Sequence, residues 1–265
     1  MMEYELKGGN MSSVVTDGSV VYKDTQAQSP TIQRLLEHLE AKGITFAPKA
    51  LGIDEKGRDM LSFVEGDTVD DYPFADKLED KIAIVAQVAG MLRKLHDATV
   101  DFVPMGSDKW FLSYEGVLEK EVACHNDIAP YNVTFKNGLP IGIIDFDVAC
   151  PAPRIWDIVY AAYRFVPLGM SVYDSELRQY RDYDKARDAL ERKRLIGVFL
   201  QAYGMDVDMD CFCAQLVKRL SALVKLFDDE SERGNVAFIQ MKKDGHQELY
   251  VREVEFIGRC FDDWR

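Results

Sequence analysis

The hydrophobic pattern of this 265-residue chain changes its period once, at Glu65-Gly66-Asp67. Before that point Tyr4 to Lys7, Met11 to Thr16 and Ser19 to Lys23 are short β-prone runs, separated by Gly8-Gly9-Asn10 and Asp17-Gly18, residues suited to tight hairpin turns. Ser29-Pro30 then opens a helix, Ile32, Leu35, Leu36 and Leu39 form its i, i+3, i+4, i+7 stripe, and Gly43 stops it. Two further strands, Ala50 to Ile53 and Met60 to Val64, flank the turn Asp54-Glu55-Lys56-Gly57. After the change, Ile82, Val85, Val88, Ala89, Leu92 and Leu95 recur at helical spacing within Lys77 to Leu95. More helices are expected over 107–122, 155–165, 183–203, 207–227 and 246–262, with a hairpin made by Val133 to Phe135 and Ile141 to Ile144. Asp228 to Gly234 reads as a solvated loop between helices. The expectation is an α+β, bilobal chain. Residues 1–66 form a small antiparallel-sheet lobe with one helix, residues 67–265 a larger, mainly helical lobe, and 62–67 the hinge.

With 47% apolar residues the chain can bury a core without disulfides or a structural metal. Its five cysteines are odd in number, irregularly spaced and form no C-x-x-C pair, so Cys211 and Cys213 are expected as buried or partly exposed thiols rather than half of a metal site. Lys and Arg number 32 against 45 Asp and Glu, a formal charge of −13 that lies mostly beyond residue 66. That field repels nucleic acid and favours a cationic ligand. No run of about 18 apolar residues and no basic-then-apolar leader is visible, so a cytoplasmic protein with no membrane partner is expected.

The chemistry concentrates in Cys124-His125-Asn126-Asp127-Ile128-Ala129-Pro130-Tyr131-Asn132, an H-x-D-x-x-x-x-N pattern, followed across the hairpin by Ile144-Asp145-Phe146-Asp147. Phosphoryl transfer from ATP needs Mg²⁺ held on the phosphate oxygens and a carboxylate that orients the attacking hydroxyl. Asn132 offers an amide oxygen and Asp145 a hard carboxylate, the ligand types Mg²⁺ takes. Asp127, five residues earlier on the same loop, is free to face an acceptor, and His125 can pin the loop by hydrogen bonds. Taken singly, these residues are also what a satisfied core histidine, a turn aspartate and a left-handed asparagine look like.

The segment resembles the catalytic loop and metal-binding strand of the aminoglycoside phosphotransferase and choline kinase group, small-molecule kinases with a protein-kinase-like fold. Leu95-His96-Asp97 and Pro153-Arg154-Ile155-Trp156-Asp157-Ile158-Val159-Tyr160 are similar to that family's segments as well. The resemblance implies Asp127 as catalytic base, Asn132 and Asp145 as Mg²⁺ ligands and His125 as loop anchor. Asp147 assists a second metal, binds substrate or caps the loop. Asp157, a carboxylate inside an apolar helix, is expected to make buried hydrogen bonds that hold the catalytic loop.

In the first lobe Lys23 ends the third strand, where kinases place the lysine that contacts the α- and β-phosphates. Its expected partner is Glu40, which at 100° per residue lies nearer the apolar stripe than Glu37 does. Gly8-Gly9-Asn10-Met11-Ser12-Ser13 is the candidate phosphate-covering loop, with the Gly9 backbone and the Ser12 hydroxyl as ligands, although it departs from G-x-G-x-x-G. Ser62 to Glu65 would present its backbone to adenine, with Phe63 and Val64 near the ring. The implied function is ATP- and Mg²⁺-dependent transfer of phosphate to a hydroxyl of a small molecule, with a cationic aminoglycoside or amino alcohol favoured by the acidic second lobe. Asp206, Asp208, Asp210, Asp228, Asp229, Glu230, Glu232, Asp262 and Asp263 supply that charge. The main alternative is a nucleotide-binding regulatory protein that keeps the fold. A phosphohydrolase built on Asp145-x-Asp147 leaves His125, Asn132 and Lys23 unexplained. Protein-kinase activity is disfavoured because Cys150-Pro151-Ala152-Pro153 leads straight into a helix, with no activation segment.

Overall fold

The computed structural model describes residues 3–6, 14–69, 75–174 and 176–265. Turn residues and β-branched runs build one five-stranded antiparallel sheet at the N-terminal end. It contains β1 (Tyr4–Glu5), β2 (Val14–Thr16), β3 (Val20–Asp24), β4 (Ala50–Ile53) and β5 (Arg58–Ser62) in the order β1-β2-β3-β5-β4. The turns follow from their side chains. Asp17 Oδ1 accepts the Ser19 and Val20 amides at 2.9 and 2.8 Å, and Asp54 Oδ1 accepts those of Lys56 and Arg58 at 2.9 and 2.8 Å. β5 spans 58–62, so Phe63 and Val64 lie beyond the strand in which the sequence pattern put them.

Helix α1 (Ser29–Ala41) buries the predicted stripe, with Ile32, Leu35, Leu36 and Leu39 each 4% exposed or less, and lies beside β4. Each such side chain contributes about 1.5–3 kcal/mol relative to an exposed one. Ser29 starts this helix without capping it: its hydroxyl accepts the Gln26 amide at 2.8 Å and donates to the buried Asp59 of β5.

Two compact units make up the chain, residues 1–71 with 90–157, and 72–89 with 158–265. The boundary drawn at 62–67 therefore falls inside the first unit. There Asp67 and Phe135 exchange backbone hydrogen bonds of 3.0 and 2.8 Å, tying the end of the sheet segment to a second hairpin. Besides the sheet and α1, the first unit holds the end of α2 (Leu78–Ala98), β6 (Val122–Cys124), the hairpin β7 (Val133–Lys136) and β8 (Leu139–Ile143), β9 (Cys150–Ala152), and the first turn of α3 (Arg154–Phe165). No helix forms over 107–122, contrary to expectation. Side chains take the local backbone instead: Asp108 accepts the Met105 amide at 2.7 Å while pairing with Arg34, and the Tyr114 hydroxyl accepts the Leu118 amide at 3.4 Å.

The second unit contains the rest of α2 and α3, a hairpin of β10 (Ser171–Asp174) and β11 (Gln179–Asp182), and α4 (Lys185–Tyr203), α5 (Met209–Glu232), α6 (Val236–Lys243) and α7 (His246–Cys260). Helix α5 runs through most of the segment read as a solvated loop. The break comes at Gly234, with φ of 83°, after which Asn235 caps α6 through the Ala237 amide. Arg192 is 1% exposed, its guanidinium 4.2 Å from the Tyr183 ring and 4.7 Å from the Trp264 ring, with Nη2 donating to Gly169 O at 2.6 Å. All five cysteines are free, and among the described residues no helix is long and apolar enough to cross a membrane.

Gly66 adopts φ of 112°, and a Cβ there would sit 2.8 Å from the Phe135 carbonyl oxygen. We expect Gly66→Ala to cost about 1–3 kcal/mol through strain and displacement of the Asp67–Phe135 bridge. Urea unfolding of variant and wild type measures it, and equal midpoints contradict it.

Candidate active site

Strands β6 and β9 pair antiparallel with Cys124 opposite Cys150, and this pairing sets the active loops side by side. Leaving β6, the chain runs through His125 to Asn132. After the β7–β8 hairpin it returns through Ile144 to Ala149 before entering β9. Ile144 N donates to Asn132 O at 2.9 Å, so Asn132 lies against the residue that precedes Asp145.

His125 is fully buried. Its Nδ1 accepts the Asp127 amide at 3.2 Å, so Nε2 carries the proton and donates it to Ile144 O at 2.9 Å. Burial pushes the imidazole below its ordinary pKa against the pull of Asp157 and Asp127, which keeps this neutral tautomer in place. The ring meets Phe146 edge-on at 4.6 Å.

Asp157, at the N-terminal end of α3, is fully buried too. One carboxylate oxygen accepts the His125 amide at 2.7 Å and His96 Nε2 at 3.1 Å; the other accepts the Asn126 amide at 2.8 Å. Burial acts to raise the Asp157 carboxyl, but the hydrogen bond from His96, the nearby His96 and His125 rings and the His125 amide outweigh it and hold the group below the usual carboxylate range. Asn126 sits at φ of 67°, a left-handed conformation of appreciable cost away from glycine, and its Nδ2 donates to Val148 O at 3.0 Å. His96, Cys124 and Asp157 each bring a donor atom within 4.8 Å of the others. Cys124 Sγ donates to Pro153 O and both Asp157 oxygens accept hydrogen bonds, so this trio is a buried hydrogen-bonded knot.

On the loop so fixed, Asp127 accepts from the Tyr131 hydroxyl at 2.9 Å through Oδ1 and from Asn132 Nδ2 at 2.8 Å through Oδ2. Asn132 Nδ2 donates as well to the Asp127 carbonyl at 3.0 Å. With the amide nitrogen committed to Asp127, Asn132 Oδ1 faces away from it, and among the described residues nothing donates to that oxygen. Tyr131 was not singled out from the sequence; its place four residues after Asp127 was the available signal.

Asp145 takes φ of 64° and its side chain is 53% exposed. Partial withdrawal from bulk water in its recess, then the negative charges of Asp147 and Asp127, push its carboxyl up to about 6, with Lys23 opposing. The open half of its surface makes that withdrawal local rather than complete. Lys23 Nζ lies 3.9 Å from Asp145 and closer still to Asp147, with which it forms an ion pair. Asn132, Asp145 and Asp147 thus offer oxygen donors of the kind a hard divalent cation takes, and the unused Asn132 Oδ1 fits that role.

Other expected residues fall elsewhere. Glu40 does not meet Lys23; its carboxylate takes Lys49 Nζ at 2.6 Å. The angular argument ranked positions around α1 but not along it, and Glu40 stands about 10 Å further along the axis than Gln33, which does reach β5. Gly9 and Ser12 lie outside the described residues. Phe63 is 36% exposed, and its amide donates to Ser19 O at 2.8 Å rather than standing open to a base. The half-buried Val64 and the exposed Glu65 form no backbone hydrogen bond among the described residues. Much of the acidic reservoir is ion-paired: Asp228 with Lys242, Asp229 with Lys225, Glu230 with Arg233, Asp263 with Lys185, and Asp210 and Asp262 with the single cation of Arg265.

Residues 109–189, which include this whole loop system, match the model of the phosphotransferase enzyme family. Over 204 residues the chain is 33% identical to the trifolitoxin immunity protein of Rhizobium leguminosarum bv. trifolii, covering 76% of this chain and 73% of that protein. The chain belongs to the phosphotransferase enzyme family. Solved structures agree on the protein-kinase-like fold. A spectinomycin phosphotransferase in complex with ADP and spectinomycin is 14% identical with a TM-score of 0.61, covering 99% of this chain and 94% of that one. Choline kinase from Cryptosporidium parvum Iowa II is 12% identical with a TM-score of 0.54, over 97% and 93%.

The knot around Asp157 should dominate the stability of this family member's first unit. Asp157→Asn is expected to cost about 3–5 kcal/mol, because an amide cannot accept both loop N–H groups and the His96 proton equally. Since the folded carboxyl titrates below its unfolded value, its contribution is complete above about pH 4 and is lost as pH falls through the folded pKa. Urea titrations at several pH values should show the gap between wild type and variant closing in acid; a gap independent of pH excludes this account.

Proposed function

We infer that this chain transfers the γ-phosphoryl group of ATP, with Mg²⁺, to a hydroxyl of a small molecule. The observation that carries the reading is the arrangement of Asp127, Asn132 and Asp145 on two loops locked together, with Lys23 reaching Asp145 and Asp147. Asp127 would accept the proton of the incoming hydroxyl, while the Tyr131 hydroxyl and Asn132 Nδ2 keep its two oxygens aimed. Asn132 Oδ1 and the Asp145 carboxylate would hold the metal, with Asp147 beside them; bound Mg²⁺ supplies charge neutralisation on the phosphate oxygens. Lys23 would contact the α- and β-phosphates. Val64 and Glu65 have backbone groups free to meet the base, and Phe63 and Val64 offer apolar surface beside it. The chemistry asked of the chain is positioning and charge complementarity, since phosphoryl transfer needs little covalent help.

For the acceptor, a hydroxylated cation such as an aminoglycoside or an amino alcohol comes first, in keeping with the net charge of −13. The ion pairs that neutralise much of the second unit's acid weaken the long-range part of that argument. One relative is a trifolitoxin immunity protein, so a role in immunity to a toxin belongs among the functions to assay. A second reading, a nucleotide-binding protein without transfer, draws on one observation: Lys23 lies on Asp147, and no helix glutamate faces it.

The deciding variant is Asp127→Ala. ADP release across a panel of aminoglycosides, amino alcohols, hydroxy amino acids and sugars should fall at least about 100-fold in kcat, with ATP affinity within a few-fold of wild type. Turnover that survives this replacement removes Asp127 as the base. Tight ATP binding with no acceptor-dependent ADP release in the wild type supports the second reading.

A further inference from the structure

Asp59 is a buried acid with no role in the reading above. It is 2% exposed, and both carboxylate oxygens are held from α1: Ser29 Oγ donates to Oδ2, and Gln33 Nε2 donates to Oδ1 at 2.6 Å. These donors are neutral. They satisfy lone pairs but leave the charge without a counter-ion, and among the described residues no lysine, arginine or histidine forms an ion pair with it. A carboxylate buried in that setting gains when a cation reaches it.

Lys23 is the cation placed to do so. In the β3–β5 ladder Lys23 and Asp59 are direct register partners, and both side chains are buried. Partners of this kind have Cβ atoms about 4.5–5.5 Å apart on one face of a sheet, so the four-carbon stem of Lys23 brings Asp59 within reach of its ammonium. Helix α1 supplies no competing acid: Glu40 is paired with Lys49, and Glu37 is exposed. Where the sequence led us to expect a helix glutamate, α1 instead presents Ser29 and Gln33, and they grip a strand aspartate.

We propose that Asp59 is the positioning residue for Lys23: when the metal and nucleotide are bound, Lys23 leaves Asp147 for Asp59 and is held there within reach of the phosphates. The inference rests on the nucleotide site proposed above. It makes the Lys23–Asp147 pair the resting arrangement, with Asp59 fixed in advance by α1.

A double-mutant cycle on the full chain tests it, using MgATP affinity by calorimetry and apo-protein melting as readouts. Asp59→Asn keeps the shape and one acceptor. It should weaken MgATP about tenfold while moving the apo melting temperature by only a few degrees. Lys23→Met should weaken binding by a similar factor, and the double variant should bind no worse than Lys23→Met alone. An Asp59→Asn protein that binds like wild type, or that loses its full factor again on the Lys23→Met background, overturns the proposal and leaves Asp59 as a fastener for α1. If Asp59→Asn does not fold, Asp59→Glu carries the cycle: affinity should change with Lys23 present and not without it, and equal changes in both backgrounds overturn the idea. Wild type that binds no MgATP rejects the nucleotide site itself, an outcome distinct from an additive cycle on a protein that binds.

Discussion

A carboxylate sealed from water keeps its charge only if the groups around it donate enough hydrogen bonds, and Asp157 is sealed completely. It meets that condition by taking the two amides at the start of the loop, His125 and Asn126, together with His96 Nε2. The consequence runs outward. With those amides fixed, Asn126 is held in a left-handed turn, and His125 is left with one nitrogen for the Asp127 amide and one for Ile144 O. The histidine thereby joins the two loops, and Asp127 and Asp145 inherit their positions from it. Removing the charge on Asp157 would leave those amides without a strong acceptor, at a cost larger than the gain from any single apolar contact nearby.

The second constraint is electrostatic. Asp127, Asp145 and Asp147 crowd three negative charges around one recess, and the pKa of Asp145, raised to about 6, registers that crowding. Lys23 relieves part of it from β3. Such a recess is poised for cations: the carboxylates repel one another less once a divalent ion is present, and the lysine is then surplus at that position. This is the physical link between the resting ion pair and the role proposed for Asp59.

Several of these features were legible in the sequence because they are local. The H-x-D-x-x-x-x-N spacing, the hairpin and the aspartates after it occupy one short stretch, and a carboxylate inside an apolar helix had to be paired. The α1 stripe was readable from its period, which reports the azimuth of side chains. Azimuth says nothing of height, so Glu40 was assigned to a lysine two turns out of reach. Phe63 and Val64 read as strand because they are β-prone, yet the ladder with β3 ends at Ser62 opposite Val20. The segment 107–122 carried enough apolar residues for a helix, but Asp108 and Tyr114 bind the backbone that a helix needs for itself. The β10–β11 hairpin lay hidden for a different reason. Asp174 there gathers Arg181 and Arg187 from residues distant along the strand and helix, and ion pairs leave no periodic trace.

Net charge misleads in a related way. A chain with an excess of acid looks from its composition like a trap for cations, and the carboxylates near the C-terminus seem its natural mouth. Most of them are matched by a lysine or arginine three, four or more residues away, and an exposed pair of that kind contributes little field beyond its immediate surroundings. At the recess Asp127, Asp145 and Asp147 outnumber Lys23, so unmatched negative charge there can act on a ligand at short range. On the proposed reading, with Asp127 as the base, selectivity for an acceptor comes from short-range contacts beside it. Two acceptors of equal charge would then be told apart by where their hydroxyl sits relative to that carboxylate, since a misplaced hydroxyl would lose the proposed proton acceptor whatever its charge.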